Sequence, residues 1–180
     1  YSSNPLYWYR PEYKEIENEF QNIKHCEFKI VYLHWGNEFI DYPYLDQKKF
    51  AHWLIDIGFD LVIGAHPHVL QGFEIYNGKH IFYSLGNFLF NMPTVETRHS
   101  AIVSVNYEDG GFQVKYEYVL INKDNKPKII SIDKIPSKLM FDTLNDRLKS
   151  ESDNEDYYKR LFRRITIYRR KNHVWLVKTL

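Results

Sequence analysis

Apolar residues along this chain keep two different periods, and the change from one to the other predicts the architecture. Over 12–24, Ile16, Phe20 and Ile23 recur at helical spacing among charges, and Pro11 suits the first turn of such a helix. The apolar run 28–33 reads as a strand. A second helix is predicted from about Asp46, with Phe50, Trp53, Leu54 and Ile57 on one face and Gly58 placed to end it, and a strand follows over 60–63. Helix, strand, helix, strand with short connections predicts parallel strands joined by right-handed crossovers.

After residue 70 the period shortens. Segments 73–76 and 79–83 flank Asn77-Gly78, the strongest two-residue hairpin signal, and the strand-like run 81–85 stops at Gly86-Asn87. Segments 101–107 and 112–119 flank Asp109-Gly110-Gly111 as a second hairpin. A polar turn with Pro127 over 122–128 then leads into a strand over 129–132, so the sheet is expected to become mixed or antiparallel. The first dozen residues read as an irregular lead-in.

At the other end, Ser152 and Glu155 form a capping box for a helix through about Lys171. Tyr158, Leu161, Phe162, Ile165 and Tyr168 make its apolar stripe, and Arg160, Arg163, Arg164, Arg169, Arg170 and Lys171 make it strongly basic. The pairs Glu155 with Lys159 and Asp156 with Arg160 favour a solvated face over a polymer-binding one. The expected division is a domain over 1–135 and a helical extension over 136–180. A length of 180 residues suits one such domain.

Charge narrows little, with 24 Lys and Arg against 23 Asp and Glu for a net +1, so no nucleic-acid partner is expected. The single cysteine, Cys26, excludes an internal disulfide and a cysteine-rich zinc site; beside a strand, it is expected to be a buried thiol. No stretch approaches the roughly 20 apolar residues that span a bilayer, so the chain is expected to be soluble. It starts at Tyr1 rather than methionine, as a processed product, a cut piece or part of a longer protein would.

Candidate chemistry gathers where the apolar runs stop. Leu61-Val62-Ile63-Gly64-Ala65 is followed by His66-Pro67-His68, and residues two apart in extended backbone project to one side, so both imidazoles can reach a common centre. The run 28–33 stops at His34-Trp35-Gly36-Asn37-Glu38, and 81–85 at Gly86-Asn87. Ligands of open α/β sheets bind beyond the carboxyl ends of the strands, so one site can collect all three. Imidazole suits zinc, manganese and iron, which makes His34, His66 and His68 the candidate metal ligands. Glu38 and Asn87 are the candidate catalytic residues, contacting substrate or orienting the ligands; Trp35 is either core or a wall of the site.

These residues carry a resemblance. Leu33-His34-Trp35-Gly36-Asn37-Glu38, then Tyr42-Pro43, Gln47, Asp60 through Gln71 and Tyr83-Ser84-Leu85-Gly86-Asn87-Phe88 resemble the bacterial CapA family of capsule synthesis and poly-γ-glutamate biosynthesis proteins, over 28–90. That family is similar to calcineurin-like metallophosphoesterases, which implies an α/β/β/α sandwich, here its C-terminal half, with a two-metal site at strand ends. The superfamily's later ligands, a strand-end histidine and a Gly-His-x-His motif, fall on His34, His66 and His68, although Ala65 lengthens the motif by one residue. Its early motifs, Asp-x-His, Gly-Asp and Asn-His, are absent from 1–24, and with them the bridging carboxylate.

The resemblance implies divalent metal ions (Mn, Zn or Fe), two in a complete protein, and hydrolysis of a phosphoester or a glutamyl amide. It also implies the bacterial cell envelope, a partner in the upstream part of the same protein, and membrane contact only through an N-terminal anchor outside this chain. Two other readings stand beside the hydrolase: a non-catalytic component that binds or exports an anionic capsule polymer, and a polymer-binding module resting on the basic helix alone.

Overall fold

Two sheets emerge from the alternation. The computed structural model describes residues 13–90, 92, 94–108, 111–150, 156, 159, 160 and 163. In chain order these form α1 (Tyr13–Ile23), β1 (Ile30–His34), α2 (Leu45–Asp56), β2 (Leu61–Ala65), β3 (Phe73–Tyr76), β4 (Lys79–Phe82), β5 (His99–Glu108), β6 (Gly111–Ile121), β7 (Pro127–Ile130) and α3 (Phe141–Ser150). The first sheet runs β1-β2-β4-β3, with β1, β2 and β4 parallel and β3 antiparallel to β4; the second is the antiparallel meander β5-β6-β7. The chain is therefore a mixed α/β protein, as its periods indicate.

Both faces of the first sheet are covered at β2, which is why that central strand reads as a continuous apolar run rather than an alternating one. On one face Val31, Leu33, Val62 and Ile81 pack with Ala51, Leu54 and Ile55 of α2 and with Ile16, Phe20 and Ile23 of α1. On the other, Leu61, Ile63 and Phe82 meet Ala101, Val103, Val114, Tyr116 and Tyr118 of the second sheet. A fully buried leucine such as Leu54 gains about 1.5–3 kcal/mol by leaving water. Gly58 ends the α2 region at φ +117°, and Asn77 and Gly78, at φ 48° and 74°, make the two-residue turn expected of them.

Four details differ from the sequence reading. β1 begins at Ile30, leaving Cys26 in the turn after α1, where its N–H bonds the Ile23 carbonyl; its thiol is exposed, not buried. The chain leaves β4 at Phe82, and Leu85 lies past its end, joined to Leu70 by an isolated bridge. Pro127 opens β7 instead of sitting in the turn, a position open to proline because, among the described residues, β7 pairs on one side only, with β6. Helix α3 went unread because only Phe141, Leu144 and Leu148 are apolar in it; all three are buried, and the Phe141 N–H donates to the Tyr118 hydroxyl at 2.7 Å. The basic segment expected over 152–171 lies for the most part outside the described residues. Among the described residues no helix is long and apolar enough to cross a membrane.

At the amino ends of the parallel strands, Asp60 ties the sheet together. It accepts from the Lys29 backbone N–H at 2.9 Å and from the Lys79 ammonium at 2.6 Å, with the Lys29 ammonium at 3.2 Å. Burial opposes its charge, but these donors outweigh burial and hold its pKa below the ordinary 3.8. A carboxylate with a lowered folded pKa contributes stability that is present above its ordinary pKa and lost as pH falls through the folded value. Asp60→Asn should therefore lower the thermal midpoint at neutral pH and narrow its gap to the unchanged chain below about pH 3.8, a comparison made by melting both proteins across acid buffers.

Toward the other end of the sheet, a Cβ added at Gly64 would lie 2.1 Å from Trp35 Nε1 and 2.1 Å from the Tyr83 carbonyl oxygen. Those two groups are hydrogen-bonded to each other at 2.8 Å. Gly64→Ala must push them apart in a packed region, and should cost about 2–4 kcal/mol in urea unfolding.

Candidate metal centre

The carboxyl ends of the three parallel strands lie along one edge of the sheet. His34 closes β1, His66 follows β2, and Gly86-Asn87 lies a few residues past β4. Backbone hydrogen bonds stitch the three loops together: Trp35 N–H to the Ala65 carbonyl at 3.0 Å, Phe39 N–H to the Pro67 carbonyl at 2.7 Å, and Leu85 N–H to the Gly64 carbonyl at 3.2 Å. Gly36, at φ +81°, lets its loop pass close to Pro67, whose Cγ would stand 3.1 Å from a Cβ there.

The histidines come together for a different reason than the spacing suggested. His66 and His68 are not extended: their φ angles are 97° and 62°, and Phe39 opposite them has φ 63°. Such angles are uncommon outside glycine and cost about 1–3 kcal/mol where they are held, a strain that concentrates at functional sites. A left-handed kink, not strand geometry, aims the two rings, whose centroids are 5.9 Å apart.

One nitrogen each from His66 and His68 and one oxygen from Glu38 lie within 4.8 Å of one another. Ligands at about 2.1 Å around a tetrahedral ion stand about 3.4 Å apart, so this group needs only a small contraction to hold one divalent cation, and two imidazoles with a carboxylate are a donor set that zinc, manganese and iron accept. Glu38 thus stands among the candidate ligand atoms as well as being a candidate catalytic residue, and would bring the negative charge that a set of three histidines lacks. His34 is exposed and outside this tightest group, but its ring packs on His66 with centroids 4.5 Å apart. All three histidines face one locality.

Asn87 orients His68. Its side-chain N–H donates to the Thr97 carbonyl at 3.0 Å, which turns Oδ1 toward His68 Nδ1, 2.7 Å away. An amide oxygen only accepts, so Nδ1 of the neutral ring carries the proton and Nε2 keeps a lone pair for a ligand. The His68 ring also neighbours Phe39, with centroids 5.9 Å apart, and Phe90, with centroids 4.9 Å apart. Thr97, Phe39 and Phe90 carried no sequence signal, since a backbone carbonyl and two phenyl rings have no ligand chemistry to mark them. Trp35 belongs to the core: it is buried and stacks on Tyr83 at 6.0 Å.

A mixed α/β domain with an imidazole and carboxylate cluster beyond its parallel strand ends is the class of protein defined so far. Residues 2–92 match the family described as Bacterial capsule synthesis protein PGA_cap, and the chain belongs to that family. It is 43% identical over 88 residues to the PGA biosynthesis protein CapA of Bacillus subtilis (strain 168), covering 49% of this chain and 23% of that protein. It is 34% identical over 134 residues to the capsule biosynthesis protein CapA of Bacillus anthracis, covering 72% of this chain and 33% of that one. The chain thus spans about a quarter to a third of the length of these relatives.

Replacing Asn87 by Ala frees the His68 ring without removing a ligand. Affinity for Zn²⁺ or Mn²⁺, followed by competition with a chromogenic chelator, should fall about 10–100-fold, while the thermal midpoint of the metal-free chain moves much less.

Proposed function

We propose that this chain carries the later ligands of a metallophosphoesterase-like hydrolytic centre in a protein of capsule or poly-γ-glutamate biosynthesis. The observation that carries the reading is the convergence of Glu38, His66 and His68 within 4.8 Å beyond the ends of parallel strands, with His34 against them. Glu38, His66 and His68 would hold one divalent ion, and a second ion belongs to the longer protein. When bound, such an ion lowers the pKa of its water toward neutrality and polarises the attacked ester or amide. Asn87 keeps His68 in the ligating tautomer, and His34 lines the approach. The two covered faces of the first sheet suit the helix, sheet, sheet, helix layering of that superfamily.

The substrate class is a phosphoester or the amide of an anionic glutamyl polymer, and the setting is the bacterial cell envelope, reached through an anchor elsewhere in the longer protein. A second reading has specific support: the names of both relatives speak of biosynthesis. In that reading the same cleft binds or guides the polymer without cleaving it.

Mutation separates these from a reading based on the basic segment. In the longer protein, His66→Ala should abolish capsule formation or hydrolysis, because one lost ligand breaks the geometry of all. Arg163→Ala with Arg164→Ala should leave most of it, since charges that ligate no metal contribute in general only a few tenths of a kcal/mol and are screened by salt. Retained metal-dependent turnover of p-nitrophenyl phosphate in the unchanged longer protein favours the hydrolase; capsule loss in His66→Ala with no turnover in either protein favours the binding component.

A further inference from the structure

Past the end of β4 the chain turns outward beside the candidate metal centre. It bends at Phe88 and Leu89, and Phe88, Leu89 and Phe90 are 49%, 73% and 51% exposed, with Val95 at 51%. Neighbouring residues of a half-buried strand point to opposite faces, one of them inward. Here three large apolar residues in a row all meet solvent. The base of the loop is nonetheless held: the Asn87 side chain donates to the Thr97 carbonyl at 3.0 Å, the Thr94 and Thr97 hydroxyls lie 3.0 Å apart, and the Phe90 ring stands 4.9 Å from that of His68, centroid to centroid.

Ammonium groups border this apolar tip. The Arg98 guanidinium donates to the Ile121 carbonyl at 2.8 Å, which brings the stretch 94–98 against the turn that follows β6, where Lys123 and Lys126 are exposed. Lys138 pairs with Glu96, so the segment 122–138 returns to the same stretch at its other end. Lys128 and Lys134 between them are exposed too, which sets five lysines of that segment against two carboxylates, Asp124 and Asp133. Lysine is depleted at protein–protein interfaces, whereas the surface of an anionic bilayer attracts it. Exposed large apolar side chains flanked by lysines are the composition of a segment that lies in the headgroup layer.

We infer that Phe88, Leu89 and Phe90, rimmed by these lysines, seat this chain on an anionic lipid surface with the candidate metal centre beside the headgroups. The apolar side chains pass between the headgroups, and the ammonium groups meet the lipid phosphates. Because the Phe90 ring neighbours that of His68, the seated loop brings the candidate ligands to the edge of the membrane. This contact is separate from any anchor elsewhere in a longer protein. It needs no metal and stands whether or not the centre is hydrolytic.

The first test sediments this 180-residue chain with vesicles of equal parts phosphatidylglycerol and phosphatidylcholine. The chain should partition onto them. Phe88→Asp with Leu89→Asp should weaken partition at least about 10-fold, and Lys123→Glu with Lys126→Glu at least about 3-fold, the second effect fading as salt is raised. Ile75→Asp, at a residue of β3 that is 62% exposed, should leave partition unchanged. Thermal midpoints of all these variants in buffer should stay within about 2 °C of the unchanged chain, since every altered residue is exposed. The second test uses a polypeptide of the relatives' length that contains this chain. With Cys26→Ser and a polarity-sensitive dye on Leu89→Cys, emission should shift to the blue when the vesicles are added and be quenched by brominated lipid. A dye already shielded before vesicles are added overturns the inference, because protein would then cover the loop. So does a chain that fails to partition, or partition that survives the change at Phe88 and Leu89, which would leave the basic carboxyl-terminal segment to bind the lipid. A blue shift with soluble poly-γ-glutamate and none with vesicles also overturns it, making the polymer the occupant.

Discussion

The close approach at Gly64 is the constraint on which the candidate centre depends. The Trp35 indole, just past the end of β1, reaches across β2 to donate to the Tyr83 carbonyl just past the end of β4, and it does so through the space a side chain at residue 64 would fill. One hydrogen bond thereby locks the ends of three parallel strands in one arrangement. The loops that continue from those ends carry His34, Glu38, His66, His68 and Asn87. A net contribution of about 1 kcal/mol understates its role, since losing it would also leave a buried N–H and carbonyl unsatisfied.

A shell of buried polar contacts ties together the loops beyond that point. Gln71, fully buried, donates through its side chain to the Ile40 carbonyl at 2.8 Å and through its backbone to the Ser84 carbonyl at 3.1 Å. The Ser84 hydroxyl returns a bond to the Val69 carbonyl at 2.7 Å. These are groups that stabilise only when every partner is in place, so they specify one loop geometry among many. That geometry is what holds His66, His68 and Phe39 at positive φ, and the strain becomes affordable because the surroundings fix it.

Much of this was legible in the order of residues. Helical spacing of Ile16, Phe20 and Ile23, the α2 face ending at Gly58, and the Asn77-Gly78 turn all placed elements to within a few residues, because each rests on a local period or a local dihedral preference. The strand-end position of His34, His66, His68 and Asn87 was legible for the same reason. Helix α3 was not, since its three apolar residues carry little local signal; Phe141 and Leu144 join the cluster of Leu70 and Tyr118, and Leu148 that of Leu54 and Ile81, all far along the chain. Nor was the exposure of Cys26, which turned on where β1 begins.

What the sequence by itself determined was the family, the alternation of helices and strands, and which polar residues stand at strand ends; these are properties of short windows, read through periodicity and turn chemistry. Only the tertiary structure decided that His66 and His68 converge through left-handed backbone, that Glu38 joins them as the anionic partner, and that Thr97 sets the Asn87 amide and with it the His68 tautomer. The same holds for β1, whose apolar residues look alike in sequence but divide into covered and bare ones once two sheets are packed. The physical reason is that a ligand set and a solvent boundary are relations between distant segments, fixed by the loops and layers that long-range packing brings into contact.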